Sequence, residues 1–111
     1  MRYTLLYYYN PDETGPSADE VQDWMEFDGQ VKEAGVHLYE VGFQPRERAR
    51  TVTVRDGQAS VTPGPVGSTD VVAGVWVIDV PDADAAAEWA QRLPTASYGK
   101  VEIRPVVEYQ G

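Results

Sequence analysis

The sequence contains no cysteine and a single histidine, His37. Without cysteine, disulfide bonds, thiolate metal sites and cysteine nucleophiles are excluded. One imidazole is too few for a zinc or haem site built on several histidines of one chain. Long apolar runs are lacking as well, so no segment is predicted to cross a membrane. Because residues 1–6 lack a signal peptide's apolar region and cleavage site, we predict a cytoplasmic protein.

Basic residues are also scarce, since nine lysines and arginines stand against eighteen acidic residues, a net charge of −9. Such a charge argues against nucleic acids and anionic membranes as partners. The sequence has no dinucleotide fingerprint, phosphate loop or nucleophile elbow, and we predict a function without a cofactor or a metal. A length of 111 residues predicts one domain over residues 1–111.

The apolar and turn patterns predict the order strand, helix, strand, hairpin, strand, helix, strand. The expected strands are residues 3–9, 36–43, 51–54, 58–61, 73–80 and 101–109, and the expected helices are residues 18–34 and 83–93. Ser17 and Glu20 form the pattern of a capping box, Asp82 is placed to cap the second helix, and Asp56-Gly57 is a hairpin turn. Without the hairpin, this is the split β-α-β order of the α+β ferredoxin-like fold.

A sheet covered by two helices has one face without a cover. The strands at residues 3–9 and 73–80 are apolar on both faces. A second copy of the chain is the simplest cover for the open face, so we expect a homodimer.

The loop at residues 61–70 is stiff, because Pro63 and Pro65 each fix one backbone angle and Gly64 between them adopts angles closed to other residues. Rigid loops beside sheets often line pockets. Pro63, Gly64, Pro65 and Asp70 are therefore candidate substrate-binding residues. The alternative is a plain connection between two strands, with Asp70 capping a turn.

Asp28 interrupts the apolar stripe of the first helix, one turn after Trp24. A carboxylate beside an apolar layer is costly to bury unless it is paired, and such a group is a candidate general base. Arg104, within the last strand, is a candidate to hold an anionic group or to pair with Asp28. The alternatives are a solvated aspartate and a structural ion pair.

Aromatic side chains are frequent, and Tyr7, Trp24 and Trp76 are candidates to line a pocket for a small, aromatic organic ligand. Aromatic residues also build ordinary cores, and that is the alternative for this set.

Several stretches together carry a family resemblance. They include Arg2-Tyr3-Thr4-Leu5-Leu6, Gly42-Phe43-Gln44-Pro45, Thr62-Pro63-Gly64-Pro65-Val66, Val77-Ile78-Asp79-Val80-Pro81 and Tyr98-Gly99-Lys100-Val101-Glu102-Ile103-Arg104-Pro105-Val106. In their order and spacing the chain resembles the YCII-related family, specifically its Asp-Gly-Pro-Phe branch. The resemblance implies a dimeric α+β barrel of two ferredoxin-like subunits packed sheet to sheet. It also implies an ill-defined function, with a few relatives acting on small organic molecules.

The chain departs from the family pattern at polar positions. Pro63 stands for the signature aspartate, Val66 for the phenylalanine, and Trp24 for a histidine of the first helix. Two hypotheses follow. In the first, the protein is a cofactor-independent lyase, isomerase or dehydrochlorinase, with Asp28 as the base and Arg104 or a tyrosine stabilising negative charge. In the second, it is a non-catalytic ligand-binding or accessory dimer.

Overall fold

Strands and helices follow one another in the predicted order. The computed structural model describes residues 1–67 and 69–108. Its elements are β1 (Arg2–Tyr9), α1 (Glu20–Glu33), β2 (His37–Gly42), β3 (Arg50–Arg55), β4 (Gln58–Pro63), β5 (Val71–Asp79), α2 (Ala83–Ala90) and β6 (Lys100–Pro105), with short 3₁₀ turns at Arg46–Arg48 and Pro94–Ser97.

Four strands form one antiparallel sheet in the order β2-β5-β1-β6. With β3 and β4 set aside, this is the strand order of a ferredoxin-like fold, and the α+β class is confirmed. β5 lies inside the sheet, as its continuous apolar run predicts. β3 and β4 form a separate two-stranded hairpin.

The two faces of the sheet differ in burial because side chains alternate along each strand. On β1, Tyr3, Leu5 and Tyr7 are buried beneath the helices, whereas Leu6 and Tyr8 on the other face are half-exposed. The buried face joins both helices in one core. Its members are Tyr3, Leu5, Tyr7, Phe27, Val31, Trp76, Ile78, Val80, Ala86, Ala90 and Leu93.

The start of α1 differs from the prediction. The N-cap is Asp19, its side chain makes no capping hydrogen bond, and the capping box of Ser17 and Glu20 does not form. Glu20 is instead buried, because its carboxylate accepts a hydrogen bond from the Trp24 indole one turn later. Val21, the next residue along α1, is exposed to solvent.

Two local predictions are confirmed by hydrogen bonds and backbone angles. The Asp82 carboxylate accepts from the Ala85 amide at 2.9 Å and so caps α2. Asp56 and Gly57 both have positive φ, 51° and 76°, as a two-residue hairpin turn of this kind requires.

The last strand is shorter than predicted. It ends at Pro105, and the Val106 amide makes one further hydrogen bond to β1, to the Arg2 carbonyl at 3.0 Å. The predicted end at Tyr109 lies outside the described residues.

Candidate functional site

Side chains from α1 and the edge strand β2 meet above the buried face of the sheet. Glu20, Trp24, Asp28 and Lys32 follow one another at every fourth residue and therefore share one side of α1. We call the whole group the α1–β2 cluster, and its members are Tyr7, Glu20, Trp24, Asp28, Lys32, His37, Glu40 and Trp76. It unites four residues predicted from the sequence, Tyr7, Trp24, Asp28 and Trp76, with four that were not predicted.

The floor of the cluster is aromatic. Trp24 is stacked on Trp76, with ring centroids 6.2 Å apart and planes 5° from parallel, and it contacts Tyr7 at 5.1 Å. Tyr7 and Trp76 are buried and belong to the core, while Trp24 is half-buried. Of the three predicted pocket residues, Trp24 thus has the most surface for contact with a ligand.

Glu20 is the most buried carboxylate of the cluster, with 8% of its surface exposed. Its Oε2 accepts from Trp24 Nε1 at 3.0 Å, and it is also hydrogen-bonded to the Tyr98 phenol. Burial and this bond to Glu20 raise the pKa of Tyr98. Glu20 therefore fixes the orientation of the Trp24 ring from the first turn of α1.

His37 and Glu40 form a hydrogen-bonded pair on β2. In the tautomer whose Nε2 donates to the Glu40 carboxylate, the free lone pair of the imidazole is on Nδ1. The imidazole also packs against Trp76, with centroids 5.5 Å apart. A carboxylate that orients an imidazole in this way is a general-base arrangement.

The Tyr7 phenol lies within electrostatic reach of Glu20 and Glu40. Burial raises the pKa of Tyr7, and the charges of Glu20 and Glu40 raise it further. The phenol therefore stays protonated at neutral pH and is available as a donor. Gly74 makes this position possible, since a Cβ there would lie 2.1 Å from Tyr7 Oη.

Asp28, the predicted base, lies at the rim of the cluster. Its side chain is 38% exposed and pairs with Lys32 at 3.0 Å, and this hydrogen bond raises the pKa of Lys32. Arg104 lies opposite Thr4, on the face away from the helices. Asp28 and Arg104 therefore do not meet within one chain.

A second candidate site lies beneath the 63–70 loop, at the end of the sheet. This loop groove has a volume of about 930 Å³ and contains two of the predicted residues, Pro65 and Asp70. Its other lining residues are Tyr8, Val66, Gly67, Val71, Val72, Lys100, Val101 and Glu102.

Two polar pairs line the loop groove. Tyr8 donates to Glu102 Oε1 at 3.0 Å, and Lys100 Nζ contacts Asp70 Oδ2 at 2.9 Å. The pKa of Tyr8 is raised by burial and by its bond to Glu102, and the pKa of Lys100 is raised by its bond to Asp70.

The other two predicted loop residues hold the loop in place. Pro63 ends β4 and borders a different groove. Gly64 has a φ of 103°, and its amide donates to the Ala49 carbonyl at 2.8 Å. Its own carbonyl accepts from the Thr51 hydroxyl at 2.9 Å. Pro63 and Gly64 thus connect the loop to the base of the hairpin.

Sequence reasoning missed Glu20, His37 and Glu40 as site residues. The sequence pattern places Glu20 in a capping box, and it marks His37 only as the single histidine of the chain. A usable signal was present, because the four-residue spacing of Glu20, Trp24 and Asp28 places them on one side of a helix.

Comparison with known families identifies the chain. The family model of the YCII-related domain matches residues 1–110. The chain belongs to the YCII-related family. No curated protein matches this YCII-related chain at a significant level.

Neither a metal-binding cluster nor a membrane-spanning helix is found among the described residues of this YCII-related protein. Across residues 1–67 and 69–108, no three histidine or acidic side chains are grouped closely enough to hold a metal ion. Within the same residues, neither helix combines the length and apolarity that a membrane span requires.

Proposed function

We propose that this YCII-related protein is a small-molecule enzyme that transfers a proton without a cofactor, as in a lyase, isomerase or dehydrochlorinase. The observation that carries the proposal is the His37–Glu40 pair beside the Tyr7 phenol and the Trp24–Trp76 stack. This set combines a base, a proton donor and an aromatic wall, which are the elements that such chemistry needs.

Each residue has one role in the proposed reaction. His37 Nδ1 removes a proton from a carbon next to a carbonyl, and Glu40 holds the imidazole and stabilises its positive charge. Tyr7 donates a hydrogen bond to the oxygen on which negative charge develops. His37 replaces Asp28 as the proposed base, because Asp28 is paired with Lys32.

The charge of the cluster limits the substrate class. Glu20, Asp28 and Glu40 are acidic, whereas Lys32 is the one permanent cation among the cluster residues. A substrate with a free carboxylate would be repelled by this excess of negative charge. We therefore infer a neutral substrate with an aromatic ring that packs on Trp24 and a carbonyl oxygen that accepts a hydrogen bond from Tyr7.

Exchange of carbon-bound protons tests the reaction without knowledge of the physiological substrate. A panel of aryl alkyl ketones is incubated with the protein in D₂O, and loss of the α-proton signal is followed by NMR. The parent should exchange at least one ketone faster than buffer, and His37→Gln should lower that rate about 100-fold or more. Glu33→Gln, an exposed residue of α1, is the control. Equal rates in the parent and His37→Gln would refute the role of His37.

The second candidate function is non-catalytic binding of a small ligand. The loop groove favours it, because valine and proline side chains line it next to the Tyr8–Glu102 and Lys100–Asp70 pairs. A ligand that binds with equal affinity to the parent and to His37→Gln but more weakly to Tyr8→Phe would support this function. The reverse pattern would support the enzyme.

The proposal includes a homodimer in which two sheets pack face to face as an α+β barrel. Half-exposed apolar residues on the open face support it, namely Leu6, Val41, Val75 and Val77. Membership of the Asp-Gly-Pro-Phe branch is also proposed, on the retained Gly64-Pro65 of the signature. A cytoplasmic location remains a prediction from the sequence.

A further inference from the structure

The β3–β4 hairpin projects from the domain as an arm with one bare apolar face. In its register, Val52 lies opposite Val61 and Val54 opposite Ala59, whereas Thr53 lies opposite Ser60 on the other face. Val52, Val54 and Val61 are each about 60% exposed. The arm is thus amphipathic, and its apolar face has no cover within the described chain.

The dimensions of the molecule indicate how much surface this arrangement leaves exposed. The accessible surface is 7827 Å², whereas a compact monomer of 12.3 kDa exposes about 6,100 Å². The radius of gyration is 15.9 Å, against about 13 Å for a compact chain of this length. The excess of about 1,700 Å² exceeds the roughly 800 Å² that each partner buries in a standard interface.

Charge indicates what covers the arm. The arm, residues 50–63, carries two arginines and one acidic residue, a net charge of +1, whereas the rest of the chain carries seven basic and seventeen acidic residues, a net charge of −10. Arg50 and Arg55 lie on the arm itself, at the two ends of β3. The surface that complements this basic arm best is the acidic body of the same protein.

We propose that the arm clasps a second copy of the chain, with its valine face at the edge of that copy's sheet, beside the sheet-to-sheet contact, and its arginines against the acidic surface. This inference rests on the proposed homodimer and adds the element that holds it together. Burial of the three valines supplies the affinity. The arginines favour a second copy over another partner and make the association weaker at high salt.

A matched pair of double variants tests the arm. V52D/V61D places two aspartates on the apolar face, and T53D/S60D places two at neighbouring paired positions of the opposite face. Both variants add the same charge to the same hairpin. Sedimentation equilibrium of the parent and both variants gives the dimer Kd, and circular dichroism verifies that each body remains folded.

The expected result is a dimeric parent, a Kd raised at least about 30-fold in V52D/V61D, and a much smaller change in T53D/S60D. Equal Kd values for the two variants, with a dimeric parent, would overturn the arm while the homodimer stands. A monomeric parent at micromolar concentration would overturn both. A loss of thermal stability in V52D/V61D that is independent of protein concentration would mean that the arm covers its own chain, and would also overturn the inference.

Discussion

Replacement of Glu20 by alanine removes the acceptor at the start of α1. The Glu20 carboxylate holds the Trp24 indole at 3.0 Å and the Tyr98 phenol, and it is 8% exposed. A hydrogen bond to a charged group contributes about 1.5–3 kcal/mol net. Because half-buried Trp24 can regain part of its bond from water, the two bonds together correspond to about 2–4 kcal/mol.

The loss of stability in Glu20→Ala can be expressed as a change in Tm and compared with two control variants. For a chain of this length, 1 kcal/mol corresponds to roughly 4 °C in Tm, so Glu20→Ala should melt about 8–16 °C below the parent. Glu20→Gln keeps an acceptor oxygen and should lose about 1 kcal/mol. Glu26→Ala, an exposed glutamate of the same helix, should stay within about 0.5 kcal/mol of the parent.

Urea unfolding followed by tryptophan fluorescence measures these differences. If Glu20→Ala unfolds at the same urea concentration as Glu26→Ala, the carboxylate does not hold the two donors. The proposed role of Glu20 in orienting the Trp24 ring would then be wrong.

Three further substitutions have expected outcomes. Asp28→Ala should shift Tm by no more than about 2 °C, because its pair with Lys32 is partly solvated; a larger loss would restore Asp28 as a buried group. Gly74→Ala should destabilise the fold by about 2–3 kcal/mol in urea unfolding, because its Cβ would meet the Tyr7 hydroxyl, and a neutral result would contradict the close approach. The raised pKa of Tyr98 stabilises the fold below pH 10 and loses that contribution as pH rises above 10, so the parent should lose more stability than Tyr98→Phe between pH 9 and 11. Parallel stability curves of these two proteins would contradict the raised pKa of Tyr98.

Elements with a strong local signal were predictable from the sequence. Asp56-Gly57 determines its turn by backbone angles, Asp82 caps α2 with its own carboxylate, and the apolar run of β5 places that strand inside the sheet. These features depend on residues close together in the chain. The ferredoxin-like order followed from them.

The candidate site was predictable only in part, because its contacts join distant residues. Glu20 matches the sequence pattern of a capping box, but Trp24 and Tyr98 supply stronger partners for a buried carboxylate. The His37–Glu40 pair depends on an irregularity in β2 between His37 and Tyr39, which no local pattern predicts. Arg104 points away from the helix that carries Asp28, because β6 pairs with β1 so that Arg104 lies opposite Thr4. The sequence does not specify this pairing register.

The central claim is that the α1–β2 cluster, rather than the loop groove, is the functional site. The most direct measurement is an NMR titration of ¹⁵N-labelled protein with the aryl ketone that the parent exchanges fastest, or with acetophenone if none exchanges. The account predicts shifts of the Trp24 indole signal and of the amides of His37 and Glu40. Shifts confined to Tyr8, Val72 and other residues of the loop groove would contradict it.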